Sequence, residues 1–432
     1  MWNEEQRKVI ESNSNYKQVI AAAGSGKTAT MIGILQHKEE RKTISPERTL
    51  IVTFTKKATE EFKTRVEAKH LSEHYHISTF HSFCYQSLFE LHPEFHKISL
   101  LSETEKEQQT KRILYKHRMR LGGIPFAILF SSNYSILRKE FPDVFEDFLF
   151  EMETYKRKNN LFEFEDLIRI VKQSLETGER WTFPLKQRFD SLIIDEFQDT
   201  NLCQMKIIQM LQIPQITVVG DDWQAIYGFR GATPEPFLNF SRFFPKTEIF
   251  QLTTNYRSLK GIIELSSIPI RKNKNKIEKK VFSHREGNTF YRTLTLKHPK
   301  RDLKSAVYEL KTYFESDRET MILVRSNFRK REWMDAGIRS EQIMTIHASK
   351  GLEFGTVILD LSSGWNLTGE GKEIPEEERR ILYVGISRAK DKLILIGRET
   401  SKFKERPEDK LFSYFPKTDS WGKLTLRSYR FW

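Results

Sequence analysis

Two cysteines in 432 residues, Cys84 and Cys203, make neither a disulfide framework nor a Cys-based metal spacing. That scarcity points to a reducing compartment. No uninterrupted apolar run approaches ~18 residues, so no membrane span is expected. The opening Met-Trp-Asn-Glu-Glu-Gln lacks the character of a secretory signal, and the expected location is the cytoplasm. Internal repeats and low-complexity tracts are also missing. Acid is in deficit: 58 Asp and Glu face 71 Lys and Arg, a net charge of +13. Such an excess favours a polyanionic partner over a merely solvated basic surface. Residues 271–280 hold six Lys or Arg, with Ile270 before the run and Ile277 inside it. That pattern is expected to form a solvated helix face.

The length exceeds one ordinary core, so two or three domains are expected. Phenylalanine is abundant at 32 residues; most must be core, and some can be stacking platforms. Short apolar strands are expected at 49–54, 191–194, 215–219, 320–324, 343–346, 356–361 and 392–396, alternating with helical stretches. This alternation predicts an α/β protein whose parallel sheets carry ligands at the carboxyl ends of their strands. Residues 93–182 differ in texture: charged, rich in Lys, Glu and Phe, helical in period and poor in strand signals. They read as a helical insertion within a first lobe made of residues 1–92 and 183–249. A second lobe spans 250–400, and residues 401–432 form a basic, aromatic tail.

Ala21-Ala22-Ala23-Gly24-Ser25-Gly26-Lys27-Thr28 follows the apolar pair Val19-Ile20. The run reads as a phosphate-binding loop entering a helix over 28–37. Backbone N–H groups of Ala23, Gly24, Ser25 and Gly26 would turn around a triphosphate. Lys27 would reach the β- and γ-phosphates, and Thr28 would ligate Mg²⁺. Ala21 stands where the pattern usually has its first glycine. A second apolar strand, Leu192-Ile193-Ile194, ends in Asp195-Glu196. Asp195 would anchor the metal through its water shell, and Glu196 would orient and deprotonate the attacking water.

Asp195-Glu196-Phe197-Gln198-Asp199-Thr200 resembles motif II of the superfamily 1A helicases, the group of UvrD, Rep and PcrA. Further blocks follow in the family's order. Asn3-Glu4-Glu5-Gln6 is similar to the Q motif, and Ile51 to Ala58 to motif Ia, with Lys56 at a position usually held by Asn. Ser78 to Phe83 resembles motif Ib, Gly220 to Ala232 motif III, and Asn255-Tyr256-Arg257-Ser258 motif IV. Met344 to Phe354 resembles motif V. Tyr383 to Lys390 resembles motif VI, with Ser387 replacing a common Thr. The resemblance implies two RecA-like lobes and assigns roles. Gln6 reads the adenine edge, Tyr256 stacks on the base, and Glu353 holds the ribose. Gln224 contacts the γ-phosphate, and Arg257 and Arg388 act as cis arginine fingers, a task suited to a planar, permanently charged fork. For DNA, Phe54, Phe164, Tyr227 and Phe229 would form base pockets, while Thr55, His81, Arg230, Thr345 and His347 touch backbone or bases. Phe229 occupies a position that is often Trp, which predicts weaker stacking. Trp223 is expected to pack in the core.

Relatives carry a large subdomain, 2B, before motif V; here about sixteen residues (327–342) occupy that place, room for one short helix. With 42 residues following Lys390 (432 less 390), no fused nuclease is expected. The expectation is an ATP- and Mg²⁺-dependent 3′→5′ translocase on single-stranded DNA. It would be monomeric and would act on 3′-tailed duplexes, with strand separation the property most exposed to the loss of 2B. Two alternatives stand beside it: an ATP-switched subunit of a repair or anti-phage defence complex, and an RNA motor. A nuclease or other protein partner is left unidentified.

Overall fold

The computed structural model describes residues 2–97, 99–118, 137–138, 141–365, 374–399 and 407–418. The expected insertion and tail therefore lie partly, and Arg427 to Trp432 wholly, outside the described residues. The chain forms two compact units. One comprises Met1–Val19, Thr28–Gly220 and Tyr227–Phe250; the other comprises Ile20–Lys27, Asp221–Ile226 and Gln251–Trp432.

A six-stranded sheet is ordered His76–Thr79, Thr49–Thr53, Ser191–Ile194, Gln215–Gly220, Tyr16–Ala21, Glu248–Leu252. The pairs from His76–Thr79 through Gln215–Gly220 are parallel. Strands covered on both faces must be apolar nearly throughout, and Ile51, Ile193 and Val218 are buried accordingly. Side-chain caps begin the helices that follow. Thr55 accepts from Ala58 N at 3.1 Å and Thr79 from Ser82 N at 3.2 Å, each cap worth about 1 kcal/mol. The helix Lys27–Glu40 buries an unbroken run from Thr30 to Leu35, as befits one enclosed on all sides.

The helical texture of 93–182 is present where it is described. Helices Glu103–Lys116 and Phe145–Asn159 enclose a small core of Leu101, Ile113, Leu114, Leu137, Phe145, Phe148 and Met152. Its only described strands are the two-residue pair Ser99–Leu100 and Leu161–Phe162. The helix Phe164–Thr177 buries Leu167, Ile168, Val171 and Leu175 on one face.

The second unit is built on five strands ordered Phe290–Leu296, Ala389–Arg398, Phe354–Asp360, Thr320–Val324, Ile343–Thr345, all pairs parallel. Ile322, Ile358 and Ile394 form its core with Leu294, Leu310 and Trp333. Residues 327–342 hold the helix Asn327–Asp335 and a 3-10 turn at Ser340–Gln342, matching the single short helix expected.

One expectation fails. Residues 271–280 are not a solvated helix face: the helix Lys260–Arg271 ends where the basic run begins. Side-chain acceptors capture the backbone N–H groups that a helix would need. Lys274 N and Asn275 N donate to the Glu376 carboxylate at 2.6 and 3.2 Å, and Ile277 N donates to Asp222 at 2.9 Å. Within this stretch Lys279 is drawn inside, its side chain 1% exposed.

Candidate nucleotide and nucleic-acid site

The phosphate-loop residues sit where a parallel sheet delivers them, after the strand Tyr16–Ala21. Gly24 and Gly26 adopt φ of +70° and +83°, a left-handed conformation that costs glycine little. At Gly24 a Cβ would also lie 2.7 Å from that of Arg257. Ala21 is tolerated because the strand continues through it and no left-handed turn is required. Asn255 and Tyr256 brace the loop: Asn255 Nδ2 donates to Ala23 O at 2.8 Å, and Tyr256 N donates to Gly24 O at 2.9 Å. Lys27 opens the helix and Thr28 follows, both half-buried, at the end where the dipole favours an anion.

In the first unit, Asp195 and Glu196 leave the strand Ser191–Ile194. Glu196 is held at φ 52°, ψ 39°, a left-handed state costing a non-glycine residue about 1–3 kcal/mol. Glu196 N donates to Asp195 Oδ1 at 2.9 Å, and Gln198 Nε2 donates to Glu196 Oε2 at 2.5 Å. No sequence pattern announced this strain. Gln6 is buried and forms a capping box with Asn3: its side-chain oxygen accepts from Asn3 N at 3.1 Å. The expected adenine reader thus also fixes the start of its own helix.

In the second unit, Arg388 is 1% exposed. It donates to Val384 O, Leu352 O and Ser387 Oγ, and through Nη2 to Gln224 Oε1 at 3.1 Å. Arg257 Nε donates to Glu353 Oε2 at 2.6 Å. Burial would raise the Glu353 pKa, but Arg257 and then Lys390 outweigh it and hold the carboxyl below its ordinary value. Tyr256 is partly exposed, its ring 4.9 Å from His284. Trp223 packs in the core as expected: 6% exposed, its indole N–H donating to Ile277 O at 3.0 Å.

The expected DNA contacts fall into separate groups. Phe54 stacks on Tyr227, ring centroids 4.7 Å apart, and Tyr227 lies 5.9 Å from Phe229, which is 40% exposed. Phe164 is 45% exposed and meets His81 edge-on at 6.0 Å. Its presentation has a cause in the neighbouring acids. Glu163 pairs with Lys106 at 3.1 Å, and Asp166 pairs with Lys156 at 2.8 Å. Both acids turn inward, leaving Phe164 outside at the first helical position. Thr55 and Thr345 accept from the backbone as local caps. His347 Nε2 lies 3.2 Å from Ile226 O. Arg230 is in a 3-10 turn, its side chain outside the described residues.

Sequence reasoning missed Lys279, Tyr383 and Lys350. Lys279 pairs with Asp221 and Asp222, and Lys350 Nζ donates to Gln224 O at 3.1 Å. The Asp221-Asp222 doublet directly after an apolar strand was the available signal, since buried paired acids need a cation. Tyr85 and Phe89 also went unassigned; they stack at 6.0 Å and are 36% and 46% exposed.

Residues 2–245 match the UvrD/REP helicase N-terminal domain, more than half of the chain, and residues 330–400 match the UvrD-like helicase C-terminal domain. The chain belongs to the UvrD/REP helicase family. Among its relatives, the putative ATP-dependent DNA helicase YjcD of Bacillus subtilis is 32% identical over 306 residues, 66% of this chain and 40% of that protein. ATP-dependent DNA helicase PcrA of Staphylococcus epidermidis is 28% identical over 360 residues, 76% of this chain and 48% of PcrA. The match thus spans less than half the length of either protein. A probable DNA helicase of Mycoplasma pneumoniae is 26% identical over 448 residues, 93% of this chain and 84% of the relative. Among the described residues no helix is long and apolar enough to cross a membrane.

Proposed function

We propose that this UvrD/REP family chain is an ATP-dependent motor that moves 3′→5′ along single-stranded DNA as a monomer and opens 3′-tailed duplexes weakly. The observation that carries the reading is the hydrogen bond between Gln224 and Arg388, 3.1 Å, with both side chains buried. A glutamine following one strand and an arginine following a helix are hydrogen-bonded to each other, an arrangement that suits joint recognition of a γ-phosphate. In this reading residues 1–92 and 183–249 form the first RecA-like lobe, 93–182 its insertion and 250–400 the second lobe, with 2B absent or vestigial at 327–342.

Each group has a task set by its chemistry. The Gly24–Gly26 backbone and Lys27 hold the triphosphate. Glu196, fixed by Gln198, orients the attacking water and takes its proton. Arg257 and Arg388 spread positive charge over the transferring phosphoryl oxygens, and Gln224 senses their presence. Tyr256 stacks on the base, Glu353 holds the ribose, and Gln6 reads the adenine. The Thr28 hydroxyl and Asp195 carboxylate are hard oxygen donors. Among the described residues no three His, Cys, Asp or Glu converge as a protein-only metal cage. That donor set suits magnesium, which takes one or two protein oxygens and completes its shell with phosphate and water. Bound magnesium supplies charge neutralisation on the phosphates. The net charge of +13 and the exposed Phe164 and Phe229 suit a strand held by its backbone and bases alike.

The test is steady-state ATP hydrolysis with and without single-stranded DNA. Wild-type turnover should rise with DNA; Glu196→Gln should bind ATP but lose about 10²-fold or more in kcat, and Lys27→Ala should lose binding as well. Stimulation by RNA but not DNA would turn the reading to an RNA motor. ATP binding without hydrolysis would turn it to a switched assembly subunit. Single-turnover unwinding then decides the rest: preference for 5′ tails would overturn the polarity, and second-order dependence on protein would overturn the monomer.

A further inference from the structure

Asp221 and Asp222 are both 0% exposed, and the cation between them, Lys279, is 1% exposed. Lys279 Nζ pairs with Asp221 Oδ1 and lies 2.7 Å from Asp222 Oδ1, with its ammonium 4.8 Å from the Trp223 ring centroid. The second oxygen of Asp221 accepts from Gln224 Nε2 at 2.7 Å and from Tyr383 Oη at 3.4 Å. Gln224 Oε1 in turn accepts from Arg388 Nη2. Four side chains thus form one line: Lys279, Asp221, Gln224, Arg388. Asp222 has its own supports, the Ile277 N–H and the nearby charge of Arg380.

We propose that Lys279 is a positioning residue for ATP hydrolysis, holding the Asp221 carboxylate in place so that the Gln224 amide can face only one way. The inference rests on the motor reading given above. An ionised carboxylate is purely an acceptor, so it requires the amide NH₂ of Gln224 on its side. The amide oxygen then points at Arg388, which can only donate. Remove the ammonium, and two buried carboxylates are left together in a desolvated site. Their repulsion is no longer compensated by a cation, and Asp221 is pushed from its place. Without Asp221 as its fixed acceptor the amide is free to turn over, and an NH₂ facing Arg388 is a donor against a donor. Lys279 thereby reaches the phosphate-sensing pair through charge, without touching the nucleotide. Burial alone would disfavour its charge, but the two carboxylates outweigh that and raise the Lys279 pKa above its ordinary value.

The experiment compares Lys279→Met, Lys279→Arg, Asp221→Asn and Gln224→Ala. It reads kcat, melting temperature, ADP affinity, and preference for a non-hydrolysable triphosphate over ADP. Lys279→Met should lower kcat about 10-fold or more and the triphosphate preference about 5-fold, with ADP affinity within about 3-fold. Asp221→Asn, which keeps the shape and removes the charge, should reproduce this even if Lys279→Met folds poorly. Lys279→Arg should recover most of the loss. In the Gln224→Ala background Lys279→Met should change kcat less than about 2-fold, because both act on one interaction. Effects that multiply in the double variant would overturn the proposal. So would a parallel fall in ADP affinity, melting temperature and kcat, which is the signature of a purely structural lysine. A wild-type protein without ATPase activity would defeat the motor reading instead, and the triphosphate preference would still judge Lys279.

Discussion

Two of the carboxylate-paired cations buried in the second unit, Lys279 and Arg329, differ in where their hydrogen bonds end. Arg329, 0% exposed, donates through Nε to Asp360 Oδ2 at 2.6 Å, through Nη2 to Ser362 Oγ and through Nη1 to Pro299 O. Trp333 shares the same Asp360 oxygen at 2.6 Å, and Ser362 returns its own N–H and O–H to Asp360 Oδ1. That network closes on itself. It anchors the helix Asn327–Asp335 to the end of the strand Phe354–Asp360. The short connection is thus a packed element with its own buried indole. The Lys279 network has the same burial and the same carboxylate chemistry, yet it leads on through Gln224 to Arg388. Burial and ion pairing therefore do not separate a structural cation from a functional one. The far end of the hydrogen-bond chain does.

The largest effect should come from breaking the closed network. Arg329→Met leaves Asp360 buried without its cation, a loss of about 3–5 kcal/mol. That should lower Tm by roughly 5–10 °C. Turnover per folded molecule should stay within about 2-fold of wild type, because nothing in the network reaches Gln224 or Arg388. Thermal unfolding beside steady-state ATPase at low temperature makes the measurement. A variant that melts normally but hydrolyses poorly would erase the distinction drawn between the two clusters.

A smaller effect is expected where aromatic side chains are exposed. Phe229 touches Tyr227 at the rim of a stacked pair and is 40% exposed. Its truncation to Ala should cost single-strand affinity about 1–3 kcal/mol, read by fluorescence titration at fixed salt. Tm should not move, since little core is lost. If Tm falls and affinity does not, Phe229 belongs with Trp333 as packing. Phe229→Trp should tighten binding if stacking area is what limits the grip.

What could be read in the sequence, and what could not, divides along the same line. Strands 191–194 and 320–324 match to the residue because continuous apolar runs leave a buried parallel strand little freedom. The candidate blocks stand at strand ends for the same reason, so the position of the loop before Lys27 and of the pair Asp195-Glu196 was legible from local pattern. The basic run at 271–280 was misread because its structure is decided from far away. Glu376 and Asp222 capture its backbone, and two buried acids capture Lys279. Local spacing carries no trace of a carboxylate about a hundred residues distant. The left-handed backbone of Glu196 was hidden similarly, since nothing about a glutamate predicts it.

The smallest effect expected is one of pH, in the first unit, where a third buried cluster presents Phe164. Burial alone would raise the Asp166 pKa, but Lys156, the Glu163 N–H and Arg169 outweigh it, and the carboxyl titrates below its ordinary value. The unfolded chain therefore binds this proton more readily than the folded one. The stabilisation is complete above the unfolded value of about 4. It drains away as pH falls through the lower folded value. Asp166→Asn should be less stable than wild type at neutral pH, but less severely affected than Arg329→Met. Lys156 keeps Glu153 at 2.6 Å and Glu163 at 4.0 Å, so its charge is not orphaned. The gap in denaturation midpoint between Asp166→Asn and wild type should hold constant from pH 7 to about 5 and close below about 4. Single-strand affinity, measured at neutral pH, should fall with it if the inward-turned acids are what hold Phe164 outward. A midpoint gap that widened on acidification would mean that Asp166 is not the ionised partner of Lys156. An unchanged affinity would mean that Phe164 keeps its place without them.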